Sequence, residues 1–229
     1  MATVTKETGF VRYACIRQKL PREIVMLRGT GCKWRRCRFC DYHLDASTDT
    51  EANYRLNKQV LSYVTGRYGI LEVINSGSFT CHARAIRQVH IEFHWMDRLQ
   101  VAPLKERFAG WGIELWAKMG VETFDIPFRK SYLDKGIDTP SSSPTPEDIA
   151  CYADEVNLLM GLPGQSTESM LEDLHIALSL FKRVCVILRC RTFVLPAYRD
   201  NPRVDILTDN SDWGLGEELP PGEVARSEG

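Results

Sequence analysis

The sequence lacks an excess of either charge, a long apolar run and a leader-like amino end. Its 29 Lys and Arg residues oppose 30 Asp and Glu residues, giving a formal net charge of −1, so it lacks the basic field typical of nucleic-acid-binding proteins. No run of about eighteen apolar residues suggests a membrane-spanning helix. The first residues, Met-Ala-Thr-Val-Thr-Lys, lack the charged-then-apolar layout of a signal peptide. We therefore expect a cytoplasmic protein with no membrane partner and no nucleic-acid partner.

The eight cysteines are unevenly distributed along the chain. Cys32, Cys37 and Cys40 fall close together, directly after the apolar residues 24–27, whereas the other five are scattered without a second cluster motif. In a reducing compartment a disulfide framework is not expected. The spacing therefore indicates a metal site on a loop that leaves a buried strand.

Two kinds of metal site fit this loop. Three thiolates spaced Cys-x4-Cys-x2-Cys can hold one iron–sulfur cluster and leave one iron without a protein ligand, free to bind a small molecule. Alternatively, the three cysteines and His43 form a Cys3His set that would close a tetrahedral structural zinc site. The loop alone leaves both interpretations open.

Six strand-like segments alternate with helical patterns. The strands are predicted near residues 23–27, 70–74, 90–95, 113–119, 155–160 and 184–194, with helix starts at the capping oxygens of residues 47–50 and of Asp97. Such alternation predicts a mostly parallel sheet of right-handed βαβ units. A complete eight-unit barrel takes about 250 residues, so the prediction is α/β, a partial (β/α)6 TIM-like barrel.

The predicted barrel occupies residues 23–208. Residues 1–22 are predicted as an irregular or short helical lead-in, and residues 209–229 as a mostly disordered tail. The Ser- and Pro-rich segment 139–146 is predicted as a surface loop.

Polar residues alternate with apolar ones on the later strands. Residues two apart share one face of a strand, and the apolar set is expected under the helices. The polar set should then face the barrel interior, where unpaired burial is costly, so it is expected to line a ligand-holding cavity. Either Glu92 or Lys118 taken singly could equally be half of an internal ion pair. The predicted inward set is Glu92, His94, Glu114, Trp116, Lys118, Glu155, Asn157, Arg189 and Arg191.

The cysteine loop resembles that of the radical S-adenosylmethionine (SAM) superfamily. The superfamily signature is Cys-x3-Cys-x2-Cys with an aromatic residue before the third cysteine; here Phe39 precedes Cys40, and the first gap is one residue longer. The resemblance implies a 4Fe–4S cluster on Cys32, Cys37 and Cys40, with SAM on the open iron. It also implies reductive formation of a 5′-deoxyadenosyl radical that removes hydrogen from a substrate, and a flavodoxin- or ferredoxin-type reductant. Basic residues beside the cysteines would offset the cluster charge or dock that reductant: Lys33, Arg35, Arg36 and Arg38.

Three further segments resemble superfamily contacts to SAM. Residues 75–79 occupy the place of a glycine-rich turn for the amino group, although the usual acidic end of that turn is absent. Residues 120–125 stand where relatives contact the ribose or methionine part, and residues 156–165 where they pack on adenine. Tyr42 is a further candidate, for the cofactor or for stacking on a substrate together with Trp95 and Trp116. The cofactor-binding residues implied are Tyr42, Ser76, Gly77, Ser78, Glu122 and Asn157.

Within the superfamily the chain resembles the queuine lyase family. The resemblance rests on the short lone core, the loop Cys-Lys-Trp-x2-Cys-x-Phe-Cys-Asp-Tyr and the segment Gly-Val-Glu-Thr-Phe-Asp. It implies a small-molecule substrate, a 7-deazaguanine base such as queuine, and a lyase that cleaves a carbon–carbon or carbon–nitrogen bond to release 7-aminomethyl-7-deazaguanine in queuosine salvage. Carboxylates would hold the base through its amino and ring N–H groups.

The candidates for the reacting end of the site are His43, His94, Lys118 and Cys190. For Cys190 a packing role stays open, because strand alternation places it on the helix-facing side. Two other functions stay open: a radical SAM enzyme acting on tRNA or another metabolite, and a non-catalytic zinc or iron–sulfur binding protein.

Overall fold

A computed structural model describes residues 12–17, 19–31, 36, 44–74, 86–188 and 200–207. Within these ranges eight strands form a single curled sheet, and each strand pairs with the strand that follows it in the chain. The first pair is antiparallel, and every later pair is parallel. The strands are β1 (Tyr13–Ile16), β2 (Arg22–Met26), β3 (Ile70–Ile74), β4 (Gln88–Phe93), β5 (Glu114–Glu122), β6 (Glu155–Met160), β7 (Arg183–Leu188) and β8 (Val204–Leu207).

Strands β2 to β7 correspond to the six predicted strands, and the predicted fold class, a partial TIM-like barrel, is confirmed. Strands β1 and β8 have no counterpart among the predictions. The irregular or helical lead-in is wrong for Tyr13–Ile16, which pairs antiparallel with β2 along the edge of the sheet. Strand β4 ends at Phe93, one residue before His94, because a 3-10 helix begins directly afterwards. The division of the chain at residues 22 and 208 stays a prediction, and residues 189–194 and 209–229 lie outside the described ranges.

The helices lie between the strands as the βα pattern predicts. Asp49 caps the first helix by accepting from the Ala52 N–H, as predicted. Asp97 does not cap a helix: it lies inside the 3-10 helix, whose cap is His94. None of the helices in the described ranges is long and apolar enough to cross a membrane. The helices are α1 (Thr50–Leu61), the 3-10 helix (Trp95–Gln100), α2 (Val101–Ala109), α3 (Ile126–Phe128) with a π turn (Arg129–Leu133), α4 (Pro146–Ala150) and α5 (Thr167–Leu180).

The apolar core lies between the outer face of the sheet and the helices. Alternate residues of β5 to β7, such as Met119, Val156 and Val184, pack with Leu174 and Ala177 of α5. A second cluster joins the outer faces of β1 to β5 to α1 and α2. Because one set of alternate residues lies under the helices, the other set faces the interior of the curl. This inner set includes the polar residues and two small apolar clusters, around Ile24 and Met26 and around Leu159 and Ile187.

Candidate active site

The interior face of the sheet has two regions. Near the amino ends of the strands lies a layer of charged side chains, one from each strand β2 to β8, which we call the floor. Towards the carboxyl ends lies a second polar group, which we call the mouth. The floor consists of Arg22, Glu72, His90, Lys118, Glu155, Arg183 and Asp205. The mouth consists of Glu92, His94, Gly120, Glu122, Lys135 and Asn157.

The floor joins the two sides of the open barrel. Arg22 on β2 donates to Asp205 on β8, with 3.0 Å between Nη2 and Oδ2. Arg183 on β7 donates to the same oxygen at 2.7 Å and lies 3.6 Å from Glu155 through its Nε. The salt bridge from Arg22 to Asp205 therefore spans strands that are not hydrogen-bonded neighbours in the sheet.

The rest of the floor completes a ring of alternating charge. Arg22 Nε donates to Glu72 Oε2 at 2.5 Å, and the ammonium of Lys118 lies between Glu72, to which it donates, and Glu155, whose Oε2 is 3.8 Å away. His90 Nδ1 contacts the same oxygen of Glu155 at 2.8 Å. Each Lys or Arg of the ring thus lies between two carboxylates, and each carboxylate between two of these cations.

The ring keeps its members charged although they are buried. Burial alone would raise the pKa of Glu72, but Lys118 and Arg22 hold it well below its usual range. Burial opposes charge on Lys118 as well, yet Glu72 and Glu155 raise its pKa. The floor is therefore a balanced ion-pair network over the pH range where most proteins are stable.

At the mouth, Gly120 makes room for an ion pair. Glu122 accepts a hydrogen bond from the Lys135 ammonium. A Cβ atom at position 120 would lie 2.6 Å from Glu122 Oε1 and 2.7 Å from Lys135 Nζ, and 3.5 Å from Glu92 Oε1. The glycine is therefore needed because three charged side chains crowd over its Cα.

The backbone places Glu122 in this position through an irregularity. The pairing of β5 with β6 shifts between Gly120 and Glu122, and Glu122 has φ +71°, a left-handed conformation that is costly for a residue with a side chain. Behind it, Asp173 of α5 accepts from the Phe124 N–H at 2.7 Å. Asp173 forms no ion pair within the described ranges, and burial raises its pKa to about 6. This buried acid holds the turn that directs Glu122 into the mouth.

His94 uses both ring nitrogens within the protein. Its Nδ1 accepts from the Met96 N–H at 3.2 Å, which places the proton on Nε2, and Nε2 donates to the Lys135 carbonyl at 2.9 Å. Burial lowers the pKa of His94, which favours this neutral form. His94 therefore fixes the backbone of Lys135.

The structure brings four predicted site residues together on the inner side: His94, Lys118, Glu122 and Asn157. Lys118 lies in the floor, and the ammonium contacts are those of an ion-pair partner, the alternative that the sequence left open; its catalytic role stays a prediction, as does that of His94. The cofactor roles of Glu122 and Asn157 also stay predictions. The other predicted site residues lie outside the described ranges: Cys32, Cys37, Cys40, Tyr42, His43, Ser76, Gly77, Ser78 and Cys190.

The two tryptophans expected to stack on a substrate have other partners. Trp95 packs on the helix side of the sheet, with its ring 5.6 Å from that of Tyr152 and Arg98 above it. The ring of Trp116 lies 5.1 Å from the imidazole of His90, and the Lys182 ammonium lies over the same ring at 4.5 Å. Both rings are therefore used in packing, and the stacking expectation is not supported for either.

Sequence reasoning missed most of the floor. Glu72 carries a usable signal, because a single acid stands inside the apolar strand Ile-Leu-Glu-Val-Ile. Arg183 and Asp205 stand beside valines in the same way, but β8 is too short to be recognised from its pattern. Lys135 has no such signal, since it follows the π turn in an irregular segment. Cys185 is also on the inner face, and burial raises the pKa of its thiol to about 12.

Comparison with known proteins gives one informative result. No family model and no curated protein matches the chain. A solved structure does match: queuine lyase from Clostridium spiroforme bound to SAM and queuine has a TM-score of 0.76 and 31% sequence identity. The match covers 90% of this chain and 99% of that chain. The similarity therefore extends over the whole of that enzyme and not over the barrel alone.

Proposed function

Because the chain belongs to the queuine lyase family of the radical SAM superfamily, we propose that it is itself a queuine lyase. The reaction would release 7-aminomethyl-7-deazaguanine from queuine for queuosine salvage. The observation that carries the proposal is the match at 31% identity over 99% of an enzyme solved with both SAM and queuine bound. At that identity and coverage the enzyme class and the use of SAM are expected to be shared.

The chemistry of the cysteine loop suits a 4Fe–4S cluster, and the residues that flank it suit its placement. The side-chain amide of Asn57 on α1 accepts from the Arg28 N–H at 2.8 Å and donates to the Arg28 carbonyl at 2.9 Å. The Ser47 N–H donates to the Gly29 carbonyl at 3.1 Å. The two ends of the loop are thus held together at the carboxyl end of β2. Cys32, Cys37 and Cys40 would hold the cluster there, on the same side of the sheet as the mouth.

Two mouth residues suit the polar atoms of SAM. The buried Asn157 Oδ1 accepts from no donor within the described ranges, so an N–H or O–H of a ligand can satisfy it. Glu122 is beside it across the β5–β6 pair. When bound, the reduced cluster and SAM supply a 5′-deoxyadenosyl radical that takes a hydrogen atom from the substrate.

The protein itself supplies orientation and exclusion of water. The floor fills the amino end of the barrel with Lys, Arg, Asp and Glu side chains that pair with one another, so we expect substrate to enter from the mouth. The Glu122–Lys135 pair and His94 fix the irregular segment that borders the mouth. A reactive radical intermediate is best protected in a cavity with a single entrance.

Delivery of the electron is the remaining part of the proposal. We assign it to a flavodoxin- or ferredoxin-type protein in the cytoplasm, where such reductants work. Arg36, in the cysteine loop, is 64% exposed in its side chain and forms a 2.8 Å ion pair with Asp134. A cationic group this exposed beside the cluster loop suits an acidic redox partner.

The test is reductive cleavage of SAM in protein reconstituted without oxygen. Dithionite and SAM are added with and without queuine, and 5′-deoxyadenosine and the deazaguanine product are quantified by mass spectrometry. A variant with Cys32, Cys37 and Cys40 changed to Ala is the control without a cluster. We expect 5′-deoxyadenosine to rise with queuine and 7-aminomethyl-7-deazaguanine to appear.

Two other results would change the assignment. 5′-Deoxyadenosine that is indifferent to queuine would keep the radical chemistry and point to tRNA or another metabolite as substrate. A complete iron and sulfide content with no SAM cleavage would leave a metal-binding protein without turnover.

A further inference from the structure

Among the described acids of the barrel interior, Glu92 differs from the rest in its lack of a hydrogen-bond or ion-pair partner. Glu72, Glu155 and Asp205 lie in the floor network, and Glu122 is bound by Lys135. Glu92 forms no hydrogen bond and no ion pair with any residue in the described ranges. Its side chain is half-buried at the end of β4 and points over Gly120. A carboxylate in such a position needs donors that the described protein does not give it.

A second acceptor lies across the same part of the mouth. Asn157 is 8% exposed, and its Oδ1 receives no hydrogen bond from the described residues. Asn157 lies on β6, where it is paired with Gly120 of β5. Glu92 lies on β4, where it is paired with Lys118 of β5. Two strands on either side of β5 therefore each present an unsatisfied acceptor to the interior. Because the Asn157 acceptor suits SAM, the Glu92 carboxylate is left for a second ligand that carries N–H donors.

The electrostatic surroundings of Glu92 select the kind of donor. Burial raises the pKa of Glu92, Lys135 works against that rise, and Glu122 adds to it. An N–H donor that binds the carboxylate removes part of the cost of burying its charge. The neighbouring Lys135 ammonium disfavours a second cation at the same place, so neutral N–H donors fit Glu92 better than an ammonium group does.

We propose that Glu92 determines base specificity, by accepting two hydrogen bonds from the guanine-like edge of a 7-deazaguanine base; this rests on the proposed function. That edge carries a ring N–H and an exocyclic amino group side by side, and the two oxygens of one carboxylate match this pair. Charge-assisted hydrogen bonds of this bidentate kind combine strength with geometric selectivity. The secondary amine of queuine, which is cationic at neutral pH, would lie elsewhere in the site.

The proposed contact would make binding depend on the exocyclic amino group of the base. A base that lacks it, such as 7-deazahypoxanthine, leaves one oxygen of Glu92 without a donor. Sites built to hydrogen-bond a polar group reject analogues without that group more strongly than apolar pockets reject a missing methylene. Glu92 therefore separates guanine-like from hypoxanthine-like bases.

The experiment measures binding rather than turnover. Reconstituted, SAM-loaded protein is titrated anaerobically with 7-deazaguanine and with 7-deazahypoxanthine in a calorimeter. Because 7-deazaguanine has no aminomethyl group, its binding reports the base edge alone. Glu92→Gln keeps the size of the side chain and removes its charge, and Glu106→Gln, on the exposed face of α2, is the charge-matched control.

We expect Glu92→Gln to weaken 7-deazaguanine binding about 10- to 100-fold, to change 7-deazahypoxanthine binding little, and so to abolish the preference between the two. Glu106→Gln should behave as wild type. Glu92→Asp, which keeps the carboxylate, should keep the preference at lower affinity, and it serves as the readout if Glu92→Gln does not fold.

Failure of this assignment differs from failure of the proposed function. Wild type that turns over queuine, with a Glu92→Gln variant that keeps full affinity and preference, overturns the role of Glu92 alone. Wild type that binds neither base and forms no 5′-deoxyadenosine with queuine overturns both. A loss of SAM binding in Glu92→Gln equal to its loss of base binding would also contradict the proposal, because Glu92 would then serve the cofactor.

Discussion

At the floor of the barrel every carboxylate lies between two cations, whereas at the mouth Glu92 and the amide oxygen of Asn157 receive no donor from the described residues. The two regions use the same residue types on the same face of the same strands. Glu155 and Asn157 are both more than nine-tenths buried, so burial alone does not separate the two regions, although Glu92 is only half-buried. The difference therefore lies in pairing, and it separates side chains that hold the barrel together from side chains available to a ligand.

Breaking the floor should have the largest effect. Glu72→Gln preserves shape but leaves Arg22 and Lys118 with too little negative charge around them. We expect a loss of about 3–5 kcal/mol in the free energy of unfolding, measured from urea titrations followed by circular dichroism. A loss below about 1 kcal/mol would mean that the ring is not a buried network in solution.

Asp173 is a buried acid that forms no ion pair with the residues that the structure describes, and it tests what such burial costs. Its folded pKa of about 6 lies above the unfolded value near 4, so the folded state retains the proton more strongly. This contribution to stability is full below about pH 4 and is lost as pH rises through about pH 6, a change of about 3 kcal/mol.

Asp173→Asn should remove that part of the pH dependence. The variant should gain stability relative to wild type between pH 4 and pH 7, as read from urea midpoints at the two pH values. Glu168→Gln, on the exposed face of the same helix, is the control. An unchanged difference between the two pH values would show that the carboxyl of Asp173 is ionised in the folded protein.

Crowding the mouth should have a smaller effect on stability than on function. Gly120→Ala places a methyl group against the Glu122–Lys135 pair, and the ends of these side chains can shift. We expect a cost of about 1–3 kcal/mol together with at least a tenfold loss of queuine-dependent 5′-deoxyadenosine. Equal activity in the alanine variant would argue that the ion pair is not part of the site.

An exposed ion pair should contribute least to the free energy of unfolding. Arg55 and Glu51 are 3.8 Å apart on α1, and both side chains are about 70% exposed. Arg55→Ala should change the free energy of unfolding by less than about 0.5 kcal/mol. A cost near that of Glu72→Gln would show that pairing, and not burial, sets the energy of these interactions.

The sequence predicted the strands whose patterns are long and regular. It did not predict which inward-facing side chains form ion pairs with one another. The alternation of polar and apolar residues is sufficient to predict that Glu92, Lys118, Glu155 and Asn157 face the interior. It does not distinguish Lys118, which is paired, from Glu92, which has no partner among the described residues, because pairing depends on which strands adjoin. Glu72 contacts Lys118 only because β3 and β5 curve towards each other on either side of β4.

Other features could not be read from any local pattern. The short strand Tyr13–Ile16 joins the sheet because the unpaired edge of β2 accepts it. The left-handed conformation of Glu122 follows from the register shift between β5 and β6, and nothing in the sequence indicates that shift. The mouth was thus predicted in outline, while the residues that orient it came from the three-dimensional arrangement.

The contact between Arg22 and Asp205 has a consequence for biosynthesis. The two residues are 183 positions apart, and translation delivers them in that order. While the ribosome is still making the later strands, the guanidinium of Arg22 has Glu72 as a neighbour but lacks Asp205, and Glu155 lacks Arg183 until β7 emerges. Arg183 then adds a third positive charge, and the balance of three cations and three carboxylates is restored only when Asp205 has left the exit tunnel. The last strand, although only four residues long, therefore supplies the carboxylate that completes the ion-pair ring.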